Sequence, residues 1–352
     1  MKIDDKTSHN SPSLRFPEFT GEWEECKIED ITDAVSSGKS KNHFSNGEYN
    51  LYGSTGIIGR TDKALYDGKL VLVARVGANA GFLQIINEPC GITDNTLILK
   101  PKGIDAFYLY YFLQHFNLNR LIFGSGQPLI TGGMLKKVKV SLGTVSEQSK
   151  IVKFLSLLDE RIAVQNRLID RLQSLMIGIA QKIAHSNKPN VRISDCLECS
   201  SSALQESEVN KTGKYPVYGA NGIVGYIDKY HTQNEAIYII KDGSGVGGVS
   251  YVTGKCSSTG TLNILQAKNG HSLKYLYYLL KVFNFVPYKT GMAIPHIYFK
   301  DYGKAKIFCP AYPEQLEYAK LLSSIDGNLR IALDSLKNFN LQKQYLLRHM
   351  LI

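Results

Sequence analysis

Two long segments of this chain carry an apolar heptad repeat, and they limit the folds that are open to it. In the first, apolar side chains recur at alternating steps of three and four residues, the a/d spacing of a coiled-coil seam. Its positions are Ile151, Leu155, Leu158, Ile162, Gln165, Ile169, Leu172, Met176, Ile179 and Ile183. A helix with one apolar stripe needs a partner to cover that stripe.

The second segment repeats the pattern 167 residues later, and only Lys343 interrupts its apolar run. Its positions are Tyr318, Leu322, Ile325, Leu329, Ala332, Leu336, Phe339, Lys343, Leu346 and Met350. Residues 144–147 have capping-box spacing for the first helix, and Pro313 suits the first turn of the second. If the two helices pair within one chain, they must run antiparallel. The alternatives are core helices of one ordinary domain, or two separate homodimer coils.

The regions before the two helices are also copies of each other. Tyr49–Gly59 and Tyr215–Gly225 share six identical positions out of eleven, and Gly77 and Gly81 return as Gly243 and Gly247. The whole domain-plus-helix unit is therefore duplicated in tandem. We predict an α+β fold with two similar globular α/β domains, separated by a pair of long antiparallel coiled-coil helices and related by a pseudo-two-fold axis. The expected bounds are 1–145 for the first domain, 146–187 for the central helix, 188–312 for the second domain and 313–352 for the C-terminal helix.

Basic charge is concentrated in the two globular segments. Residues 34–145 hold 12 Lys and Arg against 6 Asp and Glu, and residues 188–312 hold 14 against 8, in a chain of net charge +10. Two basic domains of this kind favour a polyanionic partner. The alternative is a solvated basic surface without a partner. With the helix pair as a ruler, the two domains suit two short half-sites on double-stranded DNA at a fixed separation. Because the copies differ, we expect the complete site to be asymmetric.

The N-terminal segment and the cysteines indicate the compartment. Residues 1–12 are polar, and no apolar run is long enough to span a membrane. Six cysteines without secretory signals favour reduced thiols. We therefore expect a cytoplasmic protein without membrane contact.

Three short motifs suggest other chemistry, but each lacks a required part. Residues 33–40 nearly form a phosphate-binding loop, although Asp33 stands where the first glycine belongs. Gly243–Gly248 has the spacing of a dinucleotide-binding loop, but a strand-like segment follows it, which favours a hairpin turn. Cys196 and Cys199 form a lone C-x-x-C without a second ligand pair, so we expect no metal site. No catalytic grouping of residues recurs in both halves.

Two globular units alternating with two heptad helices, each unit with the motif Tyr-x-x-Tyr-Gly-x-x-Gly-Ile-x-Gly, resemble the specificity subunit of a type I restriction–modification system. The segment Leu14–Trp23 is similar to the start of many such subunits. So are Glu147-Gln148 and Glu314-Gln315, which lead into the two helices. The resemblance covers essentially the entire chain.

The resemblance implies a non-catalytic subunit in which each globular unit is a target-recognition domain. Such a subunit docks two methyltransferase subunits, which bind S-adenosylmethionine, and two restriction/motor subunits, which use ATP and Mg²⁺. The chain itself is expected to bind no cofactor. A coiled-coil adaptor without a DNA role and a nucleotide-binding enzyme using the glycine loops are the alternatives.

Recognition loops differ between members of this family, so candidate contacts must come from side-chain chemistry. Base edges are read by amide, hydroxyl and cationic side chains, and phosphates by Lys and Arg. The candidates in the first unit are Lys39, Lys41, Ser54, Arg60, Arg75, Asn79 and Gln127. Those in the second unit are Lys211, Asn221, Tyr226, Lys241, Ser244 and His296. Tyr52 and Tyr218 belong to the repeated motif, and we interpret both as scaffold residues.

Overall fold

The computed structural model describes residues 10–41, 46–122 and 128–352. The chain divides into two compact units. The first consists of Met1–Gln165 together with Ser335–Ile352, and the second of Asn166–Asp334. Each unit thus contains one globular region and part of both long helices.

The first globular region is built mainly from strands, with one helix packed on the largest sheet. Its elements are β1 Glu24–Lys27, β2 Thr32–Ser37, β3 Tyr49–Gly53, β4 Gly56–Thr61, β5 Lys69–Ala74, β6 Leu83–Asn87, β7 Cys90–Ile92, β8 Thr96–Pro101, α1 Ala106–Phe116, α2 Gly132–Lys136 and β9 Lys139–Leu142. The long helix α3, Val145–Ala184, follows.

The largest sheet of this region is antiparallel, with strand order β2-β8-β5-β6. Val71 and Val73 of β5 face a core that includes Leu109 and Phe112 of α1. The alternate residue Leu72 faces the opposite side, towards the three-stranded sheet β4-β3-β7. The apolar run of β5 is therefore explained by burial on both faces of one strand. A third sheet pairs β1 with β9.

The second globular region repeats this plan. Its elements are β10 Val191–Arg192, α4 Ile193–Cys196, β11 Leu197–Ser201, β12 Tyr215–Gly219, β13 Gly222–Ile227, β14 Glu235–Ile240, β15 Val249–Thr253, β16 Ser257–Ser258, β17 Leu262–Ala267, α5 Leu273–Val282, α6 Phe299–Tyr302 and β18 Lys306–Ile307, followed by the long helix α7, Tyr312–Met350. The sheets have strand orders β11-β17-β14-β15, β13-β12-β16 and β10-β18. Each matches a sheet of the first region in strand number and connection.

Irregular features are duplicated as well. The hairpin β3–β4 has a bulge at Leu51/Tyr52, and β12–β13 has one at Val217/Tyr218. The turn glycines Gly56 and Gly222 have backbone φ angles of +112° and +103°, which residues other than glycine rarely adopt. The repeated motif, Tyr49–Gly59 and Tyr215–Gly225, thus encodes a bulged hairpin in each copy, in addition to buried residues.

The two long helices contact each other within the first unit. Leu155 and Leu158 of α3 share an apolar cluster with Leu346 and Met350 of α7, and Trp23 belongs to the same cluster. Towards the C-terminus of α3, Val164 and Gln165 line a cavity with Phe339, which precedes Leu346 on α7. Residue numbers rise on one helix as they fall on the other, which confirms an antiparallel pair here. Every predicted seam position on both helices is buried or half-buried.

The polar interruption of the second seam is paired. Lys343 Nζ lies 2.6 Å from Asp159 Oδ1 of α3, and the two side chains are 16% and 34% exposed. The same ammonium lies 5.5 Å from the centre of the Tyr111 ring. A cation at a seam position is thus compensated by a carboxylate from the facing helix, and this pairing also favours one register.

Two local predictions need correction. Thr144 caps α3 as expected, since its Oγ1 accepts from the Glu147 backbone N–H at 3.3 Å. The Glu147 carboxylate, however, accepts hydrogen bonds from Arg15 and Trp23 instead of completing a capping box. The basic run Lys136–Val140, whose sequence predicts a strand, is also divided differently. Residues up to Lys136 belong to α2, and the strand β9 begins at Lys139.

The glycine loop Gly243–Gly248 connects the antiparallel strands β14 and β15, which confirms the predicted hairpin turn. Residues 33–37 lie in β2, and no helix occurs between there and Lys41, where the described stretch ends. Within the described ranges, no helix is long and apolar enough to cross a membrane.

Candidate nucleic-acid interface

A basic cleft lies at one end of the large sheet in the first unit. Gly38–Lys41, which follow β2, and Thr93–Asn95, which precede β8, enclose it together with Ile58 of β4. Its volume is about 640 Å³. Both Lys39 and Lys41 are exposed. We refer to this feature as the first-unit cleft.

Backbone hydrogen bonds fix the walls of the first-unit cleft. The Gly38 N–H donates to Thr96 O at 3.0 Å, and the Ser40 N–H donates to Ile92 O at 2.9 Å. The Ser40 hydroxyl accepts from the Ile92 N–H at 3.0 Å. A Cβ at Gly38 would overlap the carbonyl oxygen of Ile92, so only glycine allows this close approach. The two lysines are therefore presented by a rigidly attached segment.

Arg75 lies beside the same wall. Its backbone N–H donates to Asn95 O at 2.9 Å, which places the end of β5 next to the loop 93–95. The Nε atom of Arg75 is buried and has no hydrogen-bond partner among the described residues. Buried guanidinium donors are normally satisfied, so an acceptor from outside the chain would complete this environment.

The other first-unit candidates lie in different environments. Ser54 is half-buried in the turn of the β3–β4 hairpin, and the same hairpin contributes Ile58 to the cleft. Asn79 is exposed and ends the short turn Gly77–Asn79 that follows Arg75. Gln127 lies outside the described residues.

Arg60 is held by its own unit. Its Nε and Nη2 donate to the carbonyl oxygens of Gly47 and Glu48, each at 2.5 Å, and Nη1 lies 3.4 Å from Asn50 Oδ1. The structure thus brings Lys39, Lys41 and Arg75 together around the loop 93–95, and it ties Arg60 to the segment that precedes β3.

In the second unit, Lys241 occupies the position of Arg75. The Lys241 N–H donates to Thr261 O at 3.0 Å and its carbonyl accepts from Ile297 at 2.9 Å. Likewise, the Arg75 N–H donates to Asn95 O at 2.9 Å, and the Arg75 carbonyl accepts from the Ile130 N–H at 2.8 Å. Both cations are half-buried. The duplication therefore preserves a cation at this place but changes its shape and hydrogen-bonding geometry.

Ser244 and His296 lie close to Lys241. Ser244 is exposed in the turn that begins at Gly243, whose N–H donates to Pro295 O at 2.9 Å. His296 exchanges two backbone hydrogen bonds with Thr290, at 2.8 and 2.9 Å. These three candidates thus form one neighbourhood.

The remaining second-unit candidates lie at opposite ends of one hairpin. Asn221 is exposed in the turn between β12 and β13. Tyr226 lies at the other end of β13 and pairs with Asn210 through two backbone hydrogen bonds. Lys211, which is exposed, follows Asn210 directly.

The repeated tyrosines have scaffold roles in the structure. The Tyr52 hydroxyl donates to Glu88 Oε1 at 2.5 Å, and Asn50 Nδ2 donates to the same oxygen at 2.8 Å. These bonds hold the pKa of Glu88 below its ordinary value, and burial is the main reason why the pKa of Tyr52 is raised. Tyr218 packs its ring against Tyr238 at 5.9 Å between centroids.

Some residues of the site have no signal in the sequence. Asp94 and Asn95 line the first-unit cleft, and an asparagine amide can read a base edge. They lie in an unremarkable stretch between two strands, and only the pairing of β8 with β2 and β5 brings them to the lysines.

One group among the described residues has the donor atoms of a metal site. The sulfur atoms of Cys196 and Cys309 and a ring nitrogen of His271 lie within 4.8 Å of one another. A hydrogen bond between the two sulfurs raises the pKa of Cys196 and lowers that of Cys309. Cys199, the other cysteine of the C-x-x-C pair, is not part of this group.

Comparison with known proteins gives the family of the chain. The family described as "Type I restriction modification DNA specificity domain" matches twice, at residues 20–174 and 186–338. The EcoprrI specificity subunit of Escherichia coli is 27% identical over 112 residues, which cover 32% of this chain and 28% of that protein. The MjaVIII specificity subunit of Methanocaldococcus jannaschii is 30% identical over 118 residues, which cover 32% of this chain and 27% of that protein. The match thus spans less than a third of either curated relative.

Solved structures share the fold over nearly the full length. The type I restriction–modification S subunit from M. genitalium superposes with a TM-score of 0.73 at 19% identity, covering 97% of this chain and 99% of that one. A chain from a structure that describes complex assembly of the type I R-M system gives a TM-score of 0.53 at 12% identity, with 95% and 98% coverage. Since the two matched segments cover most of the sequence and each contains one copy of the duplicated unit, the chain belongs to the type I restriction modification DNA specificity domain family.

Proposed function

We propose that this chain is the DNA sequence-specificity subunit of a type I restriction–modification complex. Each globular region reads one half of a bipartite site in double-stranded DNA. The observation that carries the proposal is that the family matches once in each of the two duplicated units, and that both units present cations at the end of the large sheet.

The chemistry of the two regions supports sequence-dependent recognition. Exposed lysines such as Lys39 and Lys41 suit phosphate contacts, which position a protein on the duplex without reading its sequence. Arg75 can donate two parallel hydrogen bonds to a guanine edge, whereas Lys241 at the equivalent place offers a single ammonium group. Because the equivalent positions differ, the two half-sites differ and the complete site is asymmetric.

Partner subunits supply the chemistry in this proposal. Two methyltransferase subunits bring S-adenosylmethionine, and two restriction/motor subunits bring ATP and Mg²⁺. The target adenine leaves the helical stack to enter the methyltransferase pocket, so this chain places the partners and carries no catalytic residue. The relative whose structure describes complex assembly of a type I R-M system supports docking of further subunits. We infer that the complex acts in the cytoplasm.

The test is the methylation pattern of a genome. Single-molecule sequencing of a host that carries the chain and its partner subunits should show methylated adenines in one asymmetric, bipartite motif. Removal of this chain alone should abolish that methylation, and a plasmid copy should restore it. An unchanged set of methylated adenines after removal would refute the proposal.

A further inference from the structure

Cys196, His271 and Cys309 come from three separate segments of the second unit. Cys196 is the last residue of α4, His271 directly precedes the N-cap of α5, and Cys309 lies between β18 and α7. Both cysteines are buried and His271 is half-buried. Their donor atoms nevertheless converge to within 4.8 Å of one another.

The first unit provides an internal comparison for Cys196. The Ile193 N–H donates to Ala305 O at 3.0 Å, just as the Ile28 N–H donates to Val138 O at 3.0 Å. These equivalent bonds align the start of α4 with residues 28–31. The counterpart of Cys196 is therefore Ile31, a core residue.

The same comparison applies to the other two positions. Ser272 and Asp105 are the N-caps of α5 and α1, so His271 corresponds to Ile104. The Tyr275 hydroxyl donates to Phe308 O at 3.0 Å and the Tyr108 hydroxyl to Ser141 O at 3.0 Å. Cys309 therefore corresponds to Leu142. The first unit folds with apolar residues at these three positions. In the second unit, all three positions carry a thiol or an imidazole instead.

The environment of this trio is that of a preformed ligand set. His271 Nδ1 is buried without a hydrogen-bond partner among the described residues, which costs free energy unless an external group binds it. The backbone of Cys309 is fixed by Asn190, whose side chain donates to Cys309 O at 2.7 Å and accepts from its N–H at 2.8 Å. The carbonyl of Cys196 accepts from the Lys268 N–H at 2.9 Å.

The donor atoms match a soft divalent cation. Zinc binds thiolate sulfur at about 2.3 Å and imidazole nitrogen at about 2.0 Å, so ligand atoms of a tetrahedral site lie roughly 3.5–3.8 Å apart. The three donor atoms lie within 4.8 Å of one another, so they would need to move closer by about an ångström at most to reach that geometry. Two thiolates and a neutral imidazole also cancel the charge of the ion, which suits a buried place.

We propose that Cys196, His271 and Cys309 bind one Zn²⁺ ion, with a solvent molecule as its fourth ligand. Binding releases the two thiol protons to solvent and involves no change in oxidation state. The ion links the end of α4, the start of α5 and the segment that leads into α7. Its role is to stabilise the second unit where the globular region meets the long helix, and this role does not depend on the proposed function in DNA recognition.

The experiment uses the purified full chain, prepared under reducing conditions and analysed for zinc by mass spectrometry. We expect about one zinc per chain, as for a single structural site. Replacement of zinc by Co²⁺ should give the visible absorption of a tetrahedral thiolate site. Removal of zinc with a chelator should lower the temperature of unfolding, since an ion that binds only the folded state stabilises it.

The matched variant gives the second unit the residues of the first. The triple substitution Cys196→Ile, His271→Ile and Cys309→Leu should leave a folded chain with background zinc and no response to the chelator. Cys199→Ser, three residues from Cys196, should retain zinc and the cobalt spectrum. Absence of both zinc and cobalt binding in the parent chain would overturn the proposal. Retention of zinc by the triple variant, loss of zinc in Cys199→Ser, or a Cys196–Cys309 disulfide in place of the metal would do so too.

Discussion

Lys39 and Lys41 are exposed side chains on a segment that backbone hydrogen bonds attach firmly to β7 and β8. Loss of such phosphate contacts weakens binding to all DNA sequences to the same extent. We predict that Lys39→Ala combined with Lys41→Ala lowers DNA affinity uniformly and reduces the slope of log K against log salt by about 2. Fluorescence anisotropy over a range of salt concentrations measures both quantities.

The control removes the same charge elsewhere in the first unit. Lys100 and Lys102 are exposed at the opposite end of β8 from the cleft. Lys100→Ala combined with Lys102→Ala should leave the slope close to that of the parent chain. Equal effects of the two double variants would show that net charge, and not the first-unit cleft, controls binding.

Glu147 is a buried carboxylate with three donors. Arg15 Nε and Nη2 lie 2.6 and 2.8 Å from its oxygens, and Trp23 Nε1 lies at 3.1 Å. Its side chain is 1% exposed and that of Arg15 is 15% exposed. Because Glu147→Ala leaves a guanidinium and an indole N–H without their acceptor, we predict a loss of about 3–5 kcal/mol in the free energy of unfolding.

Trp23 is the single tryptophan of the chain, so its fluorescence during urea denaturation reports the first unit. Glu160→Ala, which removes an exposed carboxylate from the same helix, should change stability by less than about 0.5 kcal/mol. If the two variants unfolded at the same urea concentration, Glu147 would not stabilise this unit as described.

Several side chains of this protein contact residues that are distant in the sequence. The spacing of Thr144 and Glu147 predicts a capping box, but the Glu147 carboxylate binds Arg15 and Trp23, which are more than a hundred positions away. The spacing of Cys196 and Cys199 suggests a pair, yet the donor atoms nearest to one another are those of Cys196, Cys309 and His271. Local spacing predicts local contacts, whereas these clusters depend on how distant segments pack.

Among the secondary-structure elements, the long helices were the most predictable. An apolar seam with a fixed period identifies the buried face before any contact is known. Leu155 is fully buried in the seam, whereas Leu157 on the same helix is 50% exposed. We predict that Leu155→Ala destabilises the first unit by about 2–5 kcal/mol. Leu157→Ala should cost less than about 0.5 kcal/mol, and similar losses in the Trp23 transition for both variants would contradict the assigned face.

The same helices test the origin of half-site spacing. The antiparallel register that pairs Asp159 with Lys343 matches residues 168–174 with residues 328–334. Removal of both segments deletes one heptad from each helix, or about 10 Å of length. If helix length sets the separation of the half-sites, the methylated motif should keep both halves and lose about three base pairs of spacer. An unchanged spacer would show that another part of the complex sets the distance.

At the scale of the whole molecule, the duplication could be predicted from the sequence, and the DNA-contacting surface could not. Repeated glycines, tyrosines and heptads keep an offset of 166 or 167 residues, because they encode bulges, core and seam in both copies. The cleft residues Asp94 and Asn95 have no such signature, since loops between strands are free to vary. The DNA contacts are therefore predicted from side-chain chemistry and exposure, and single substitutions test each of them.

The central claim is that each globular region reads its own half-site, and an exchange of regions tests it most directly. Residues 188–312 would be replaced by a copy of residues 23–145, and the adenine methylation of a host expressing this chain with its partners would be sequenced. We predict that the asymmetric motif is replaced by one in which the first half-site occurs twice, as an inverted repeat. Persistence of the original asymmetric motif would contradict the account.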